Sequence, residues 1–229
     1  MRKLINVILA VCAIGLLYLC YASIMGPIEF EQEKNRREKA VIARLIDIRD
    51  AQLEFRKQNN QYTADLDTLI DFIKNGNILT VYKVGELTDI QREDGLTEEK
   101  AMQIINKAKK TDNWKEVEKL GLTEFKRDTI QVPVLESLFK DRRGFHPDSI
   151  KFVPFSGGEH FIMNAKIDTI QSGPARFFEA RTPYNVYLKG LDEQEINNMI
   201  YMRQQLDRYP GLKVGSMDEP ITTGNWESL

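Results

Sequence analysis

The sequence predicts an α+β protein, in which an N-terminal transmembrane helix and a long amphipathic helix precede a mostly antiparallel sheet with one or two packed helices. Three observations support this fold class. An uncharged apolar run, Leu4–Met25, follows Arg2 and Lys3. Apolar residues then recur at three- and four-residue steps as far as Phe55, which is a helical period. Beyond residue 77, short β-type runs alternate with turn-forming residues, a pattern typical of hairpin-linked strands.

The apolar run is long enough to be a membrane anchor. At about 1.5 Å per residue it makes a helix of about 33 Å, and the hydrocarbon core of a bilayer is about 30 Å thick. A cleaved signal peptide also fits the basic start, but its apolar region is usually only about 7–15 residues long. We therefore expect a retained anchor, residues 1–27, that contacts the lipid bilayer through Leu4 to Met25. Gly26-Pro27 is expected to end or kink its helix.

The distribution of charge predicts the orientation of this anchor. Arg2, Lys3 and the terminal amine precede the apolar run, and acidic residues follow it: Glu29, Glu31 and Glu33. Because positive charge stays on the cytoplasmic side, we expect a single-pass protein of the inner (cytoplasmic) membrane. Its C-terminal domain would then lie in the periplasm of a bacterial cell envelope.

Composition argues against several classes of function. Lys and Arg number 32 and Asp and Glu 34, so no strong field exists to attract nucleic acid, and no nucleic-acid partner is expected. The chain has two histidines, and both cysteines, Cys12 and Cys20, lie in the anchor. We therefore expect no metal site, no cofactor and no disulfide in the rest of the chain.

Residues 28–76 are predicted to form amphipathic stalk and packing helices. The almost wholly charged stretch Glu31–Lys39 is expected to stand clear of the domain as a stalk. An apolar stripe follows it: Val41, Ile42, Leu45, Ile48, Gln52 and Phe55. Packing of this stripe on the protein's own sheet is the favoured interpretation, and self-association as a coiled coil is the alternative. Asn59–Tyr62 breaks the helix, and Thr63 or Asp65 can cap a second one.

Residues 77–229 are predicted to be an extracytoplasmic α+β domain with a helical insertion at about 86–122. That insertion is polar and is expected to lie on the surface with one thin apolar edge. A capping box at Asp192–Glu195 is expected to open a helix that runs to about Leu206. The expected strands are Ile78–Val84, Asp128–Val134, Ser149–Pro154, His160–Ile170, Ala175–Ala180 and Leu212–Ser216.

The stretch from the anchor to Gly76 resembles type IV pilins and the pseudopilins of type II secretion. The residues that carry this resemblance are Ala51, Gln52, Phe55, Asn60, Tyr62, Leu66 and Leu69. It implies a membrane helix that continues into an amphipathic helix and an antiparallel sheet, and a role as a pilin-like filament subunit. The chain differs from pilins because it has no processing site after a glycine and no glutamate near the start of the apolar run.

The whole chain also resembles uncharacterised single-pass envelope proteins of Gram-negative bacteria. The segments that carry this second resemblance are Gly26–Phe30, Arg208–Ser216 and Gly224–Glu227. It implies a location in the cell envelope and no particular activity.

Several residue groups suggest chemistry, and each has a plainer explanation. His146-Pro147-Asp148-Ser149 holds the residue types of a hydrolytic triad, but neighbours in sequence seldom converge, so a proline turn is favoured. Ser156–His160 is a glycine-containing loop without the lysine of a phosphate loop, and a hairpin turn is favoured. Lysines surround Trp114, but interspersed acids make a solvated helical face the better interpretation; the lysines are Lys107, Lys109, Lys110 and Lys115.

The carboxylates and aromatic rings allow two further interpretations. Glu193 and Glu195 with Asp192 are explained by the positive end of a helix dipole. Glu159 and Glu179 are the candidate acids of a glycan-acting enzyme. A sugar-binding platform is the alternative to core packing for the aromatic residues Phe152, Phe155, Phe161, Phe177, Phe178, Tyr184 and Tyr187.

No convergent catalytic set is visible, so no catalytic, cofactor-binding or metal-binding residue is predicted. We expect a non-enzymatic, membrane-anchored envelope protein that acts as a structural or scaffold component with protein partners. A pilin-like filament subunit and a cell-wall or glycan-acting enzyme are the alternatives, and homo-oligomerisation is left open.

Overall fold

A computed structural model of the protein describes residues 2–142, 144–170 and 173–227. They form two compact units: Met1–Ile73 with Arg142–Leu229, and Lys74–Asp141. Helices make up 53% of the chain and strands 19%, and every pair of strands in the described residues is antiparallel. The predicted mixture of helix and antiparallel sheet behind a long apolar helix is confirmed.

The first helix, α1, runs unbroken from Arg2 to Asn59. Of the two outcomes predicted at Gly26-Pro27, an end or a kink, the end is wrong, because Pro27 lies inside the helix. The φ of proline, near −65°, is compatible with a helix. Because proline removes only one N–H donor, the hydrogen bonds of the turns on either side are sufficient for the helix to continue. Among the described residues this is the one helix that is long and apolar enough to cross a membrane.

The second half of α1 forms the core of the first unit. Val41, Leu45 and Ile48 are fully buried. The helix packs on the sheet of β3 (Ile162–Ile170), β4 (Gly173–Pro183) and β5 (Gly211–Ser216), with most of its contacts to β5 and β4 and a Gln52–Met163 contact to β3. The strand order is β3-β4-β5. Packing of the predicted apolar stripe on the protein's own sheet is therefore confirmed.

Gly215 in β5 shows how closely the strands approach. Its φ is +75°, and a Cβ built on it would lie 2.2 Å from the carbonyl oxygen of Phe178 in β4. Only glycine fits this position without moving backbone.

Shorter elements complete the first unit. The helix α2 (Leu66–Asn75) begins at Asp65, whose carboxylate accepts a hydrogen bond from the amide of Thr68 at 2.8 Å, so Asp65 is the cap. A 3₁₀ helix, Pro147–Lys151, replaces the first part of the strand predicted at Ser149–Pro154, and a single bridge joins Phe152 to His160. The unit also contains α7 (Tyr184–Tyr187) and α8 (Glu193–Gln205).

The second unit combines a β-ribbon with small helices. The ribbon pairs β1 (Asn77–Val84) with β2 (Lys126–Pro133). The helices are α3 (Asp89–Glu93), α4 (Glu98–Thr111), α5 (Lys115–Lys119) and α6 (Val134–Phe139). The apolar edge expected for residues 86–122 proves to be a core cluster of Leu87, Ala101, Ile105, Ala108, Val117, Leu122 and Phe125. The buried residues Ala101 and Ala108 widen the apolar stripe of α4 beyond what its large side chains alone indicate.

Candidate functional site

The charged stretch after the apolar run belongs to the first unit. Nη1 of Arg37 donates hydrogen bonds to the carbonyl oxygens of Tyr187 at 3.1 Å and Lys189 at 3.0 Å. The guanidinium groups of Arg36 and Arg37 lie 4.9 and 5.3 Å from the ring centroid of Phe155. The expectation that Glu31–Lys39 stands clear as a stalk is therefore wrong for its second half, because long arginine side chains reach carbonyl groups and an aromatic face.

Further along α1, polar side chains bind segments that are distant in sequence. The pairs are Arg44 with Ser149 at 2.6 Å, Asp47 with Arg142 at 2.5 Å, and Arg49 with Glu227 at 2.8 Å. Burial raises the pKa of Asp47, while the positive charges of Arg142 and Arg44 act against that rise. These contacts tie the later part of the unit to α1.

Gln52 forms the most buried of these polar contacts. Its side chain is fully buried, its Nε2 donates to the carbonyl oxygen of Thr63 at 2.6 Å, and its Oε1 accepts from the Thr63 amide at 3.1 Å. The amide side chain thus pairs with both backbone groups of Thr63, as a neighbouring strand would. This holds the chain against α1 just after the turn.

A groove of about 510 Å³ lies between α1 and the C-terminal part of α8. Met199, Met202 and Leu206 form its apolar strip, at the i, i+3 and i+7 positions of one helical face. Met202 is 62% exposed and Leu206 61% exposed. Only Ile196 is buried among the residues of α8. An apolar strip so poorly covered marks a surface suited to a partner.

One carboxylate, that of Glu38, lies in the groove. The hydroxyl of Tyr187 donates to its Oε1 at 3.2 Å. Burial raises the pKa of Glu38, and the nearby charges of Lys34 and Arg203 oppose the rise. Burial also raises the pKa of the Tyr187 hydroxyl far above its usual range, so this hydroxyl stays a donor.

Three cationic side chains line the same groove, those of Lys34, Arg203 and Arg208. Lys34 pairs with Glu31 at 2.5 Å, and Nε of Arg203 donates to the hydroxyl of Tyr184 at 3.2 Å. Within the described part of the chain, the guanidinium of Arg208 has no ion-pair partner. The groove therefore combines an apolar strip with an excess of positive charge.

The residues of the possible triad do not form a catalytic arrangement. Oγ of Ser149 donates to the carbonyl oxygen of His146 at 2.6 Å and accepts from Nη1 of Arg44 at 2.6 Å. The hydroxyl hydrogen is thus used within a local turn and does not point to an imidazole acting as a base. The turn interpretation of this segment is supported.

The Ser156–His160 loop is closed by hydrogen bonds to the side chain of its own serine. Oγ of Ser156 accepts from the amides of Gly158 at 3.2 Å and Glu159 at 2.9 Å, and it donates to the carbonyl oxygen of Val153 at 2.7 Å. Two amides that a phosphate would need are therefore already occupied. The His160 ring contacts Phe152 edge-on, with centroids 4.9 Å apart.

Glu179, a candidate acid of the enzyme hypothesis, is held as an ion-pair acceptor. Its carboxylate is buried, and its two oxygens accept from Arg181 and from Lys213, each at 3.0 Å. Both carboxylate oxygens are therefore engaged in ion pairs within the sheet. Glu159 lies in the exposed loop described above.

The lysines near Trp114 lie on an exposed helical face, as expected, and Nε1 of Trp114 donates to Asp112 at 3.4 Å. Asp192 caps α8 through the amides of Gln194 and Glu195, so the acidic start of that helix is structural. Most of the aromatic residues considered as a sugar platform are core residues: Phe161, Phe177, Phe178, Tyr184 and Tyr187. Phe152 and Phe155 are the exposed exceptions.

Sequence reasoning missed the groove. A signal was present, because Met199, Met202 and Leu206 repeat at helical spacing, but a stripe of that kind usually packs into a core. In the described residues, no three histidine, cysteine, aspartate or glutamate side chains gather as a metal site would require. Comparison with models of known protein families, with curated proteins and with solved structures finds no match.

Proposed function

We propose that this chain is a single-pass membrane protein of a bacterial envelope that acts as a structural or scaffold component. The observation that supports this proposal is the contrast between the two halves of α1. Its first half exposes large apolar side chains, such as Ile14 at 67% and Leu17 at 71%, and its second half is the core of a folded unit. Only a lipid or protein environment accounts for so much exposed apolar surface on one helix.

The unbroken helix supports a positional role. A domain whose core helix is also the anchor has its distance from the bilayer set by that helix. The arrangement suits a component that presents a surface to partners at a defined height. The basic start and acidic exit of the apolar run support a cytoplasmic amino terminus and a periplasmic domain.

Removal of residues 1–27 tests this proposal. We expect the shortened chain to leave the membrane fraction, whereas the intact chain resists extraction with alkaline carbonate. A shortened chain that still sediments with membranes would contradict anchoring by this helix. For orientation, a C-terminal fusion to alkaline phosphatase should be active and one to green fluorescent protein dark, and the reverse result would contradict the periplasmic location.

A pilin-like filament subunit is the second candidate. It is favoured by the combination of one long helix, apolar in its first half, with an antiparallel sheet packed on its second half. Fibres isolated from the cell surface that contain this chain would support it. Recovery of the chain only from the inner membrane would exclude it.

A further inference from the structure

The groove beside α8 has a complementary surface elsewhere on the same chain. Gly26, Glu29 and Glu33 follow each other at steps of three and four residues and so lie on one face of α1. Glu33 is paired with Arg36 and Arg37 of its own chain. Glu29 is exposed and has no ion-pair partner in the described residues, just as Arg208 has none in the groove. Within the described residues, Glu29 on α1 and Arg208 in the groove are thus an acid and a base that each lack an ion-pair partner.

These two surfaces cannot meet within one copy. Glu29 and Lys34 are five residues apart on α1, which places them about 140° apart around the helix axis. The acidic face thus points well away from the groove that Lys34 lines. A contact between them needs two copies.

Anchoring brings the two surfaces of neighbouring copies to similar heights. Every copy is inserted by the same apolar run. Along α1, Glu29 lies about 7.5 Å below Lys34 and about 13.5 Å below Glu38, the two residues of this helix that line the groove. An arginine side chain is long enough to cover much of the smaller difference. Apart from the adjoining residues of its own helix, no described atom lies within 4 Å of a Cβ built on Gly26, so a neighbouring chain can approach there closely.

We propose that the groove between α1 and α8 binds the membrane-exit segment Gly26–Glu33 of a second copy of this chain, with Arg208 facing Glu29. Since the donor face and the groove are different surfaces, the contact is head-to-tail and repeats from copy to copy. The inference rests on the proposed membrane anchoring, and it names the partner of the scaffold. A bilayer surface is a poorer occupant, because the acids Asp192, Glu193 and Glu195 begin the helix whose other end carries the cations.

Cross-linking of two full-length copies in the same membrane locates the contact. Both copies carry Cys12→Ala and Cys20→Ala. One adds Glu29→Cys with one epitope tag, and the other adds Leu206→Cys with a second tag. A short bismaleimide should give a product that carries both tags. The matched control replaces Leu206→Cys with Gln204→Cys, which is exposed on a different face of α8, and this control should give none.

Charge reversal tests the pairing itself in chains that keep all other residues. With Arg208→Glu, co-purification of two tagged copies in mild detergent should fall roughly tenfold, because an attraction becomes a repulsion. Adding Glu29→Arg to the same chain should restore it. Lys39→Glu, an exposed reversal on α1 outside the groove, should change nothing.

Each contrary result overturns a defined statement. If the chain is membrane-bound but gives no doubly tagged product, the proposed contact is overturned and the anchoring is not. The same holds if Leu206→Cys copies cross-link only with other Leu206→Cys copies. Failure of Glu29→Arg to restore association would do the same for the Arg208–Glu29 pairing. Extraction of the chain by alkaline carbonate would overturn the anchoring and, with it, this inference.

Discussion

The two halves of α1 differ both in apolar content and in what covers them. Leu17 is 71% exposed, whereas Leu45, on the same continuous helix, is fully buried under the sheet. The second half alternates its apolar stripe with charged residues, and the first half is apolar on every side. A helix that is apolar all round needs an apolar solvent, and an amphipathic one needs only a core. The comparison shows how one helix can serve two environments.

The largest effect is expected from breaking the first half. Ile14→Arg together with Leu17→Arg places two charges where lipid is expected, at a cost of about 2.5–3.5 kcal/mol each. We expect the doubly substituted chain to be extracted by alkaline carbonate. Ile14→Leu with Leu17→Ile is the matched control and should stay in the membrane. Retention of the arginine variant would mean that this half does not span a bilayer.

The same truncation made in each half should have very unequal effects on the free energy of unfolding. Leu45→Ala opens a cavity in the core and should lower the free energy of unfolding by about 2–5 kcal/mol. Leu17→Ala should change it by less than about 0.5 kcal/mol. Denaturant unfolding of the full chain in detergent, followed by far-UV circular dichroism, measures both. Equal losses from the two variants would contradict the difference in burial.

A smaller loss is expected from the buried polar contact of the second half. Gln52→Leu keeps the size of the side chain but leaves the amide and carbonyl of Thr63 without partners, at a cost of about 1–3 kcal/mol. Gln61→Leu, at an exposed position after the helix, should cost almost nothing. The same unfolding measurement separates them, and a neutral Gln52→Leu would show that water replaces the lost contacts.

The smallest change in stability is expected at Glu38, the half-buried carboxylate of α1 that lies in the groove. Because burial raises its pKa in the folded state above the unfolded value, ionised Glu38 costs stability at neutral pH, and stability should increase as pH falls toward the raised pKa. Glu38→Gln mimics the protonated form and should stabilise the chain by up to about 1 kcal/mol at neutral pH. Melting temperatures at about pH 8 and about pH 5 should show this gain shrinking with acid. A gain independent of pH would contradict this account.

Much of the fold follows from local patterns. The helical stripe, the Asp65 and Asp192 caps, and the strands at Ile78–Val84 and Leu212–Ser216 have local causes, and the structure has elements there. The passage of α1 through Pro27 was not predictable from local rules, since these disfavour proline inside a helix. The apolar edge predicted for residues 86–122 underestimated the core of the second unit, because Leu87, Val117 and Phe125 join that core from separate segments of the chain.

The candidate groove could not be predicted from the sequence for a different reason. The stripe Met199, Met202 and Leu206 looks like an ordinary core face, and only the arrangement of elements leaves it open. Likewise, Arg37 looks like part of a solvated charged run until its contacts with the carbonyls of Tyr187 and Lys189 are known. Such contacts join residues about 150 positions apart, which no local pattern encodes.

The continuity of α1 through Pro27 has a mechanical consequence. From Met25 to Asn59 the helix measures about 51 Å, so a change of about 10° in its tilt within the bilayer would sweep the far end sideways by about 9 Å. In the membrane-anchored arrangement that we propose, a thinner or thicker membrane would thereby displace any partner bound to the domain, and the anchor would act as a lever as well as an attachment.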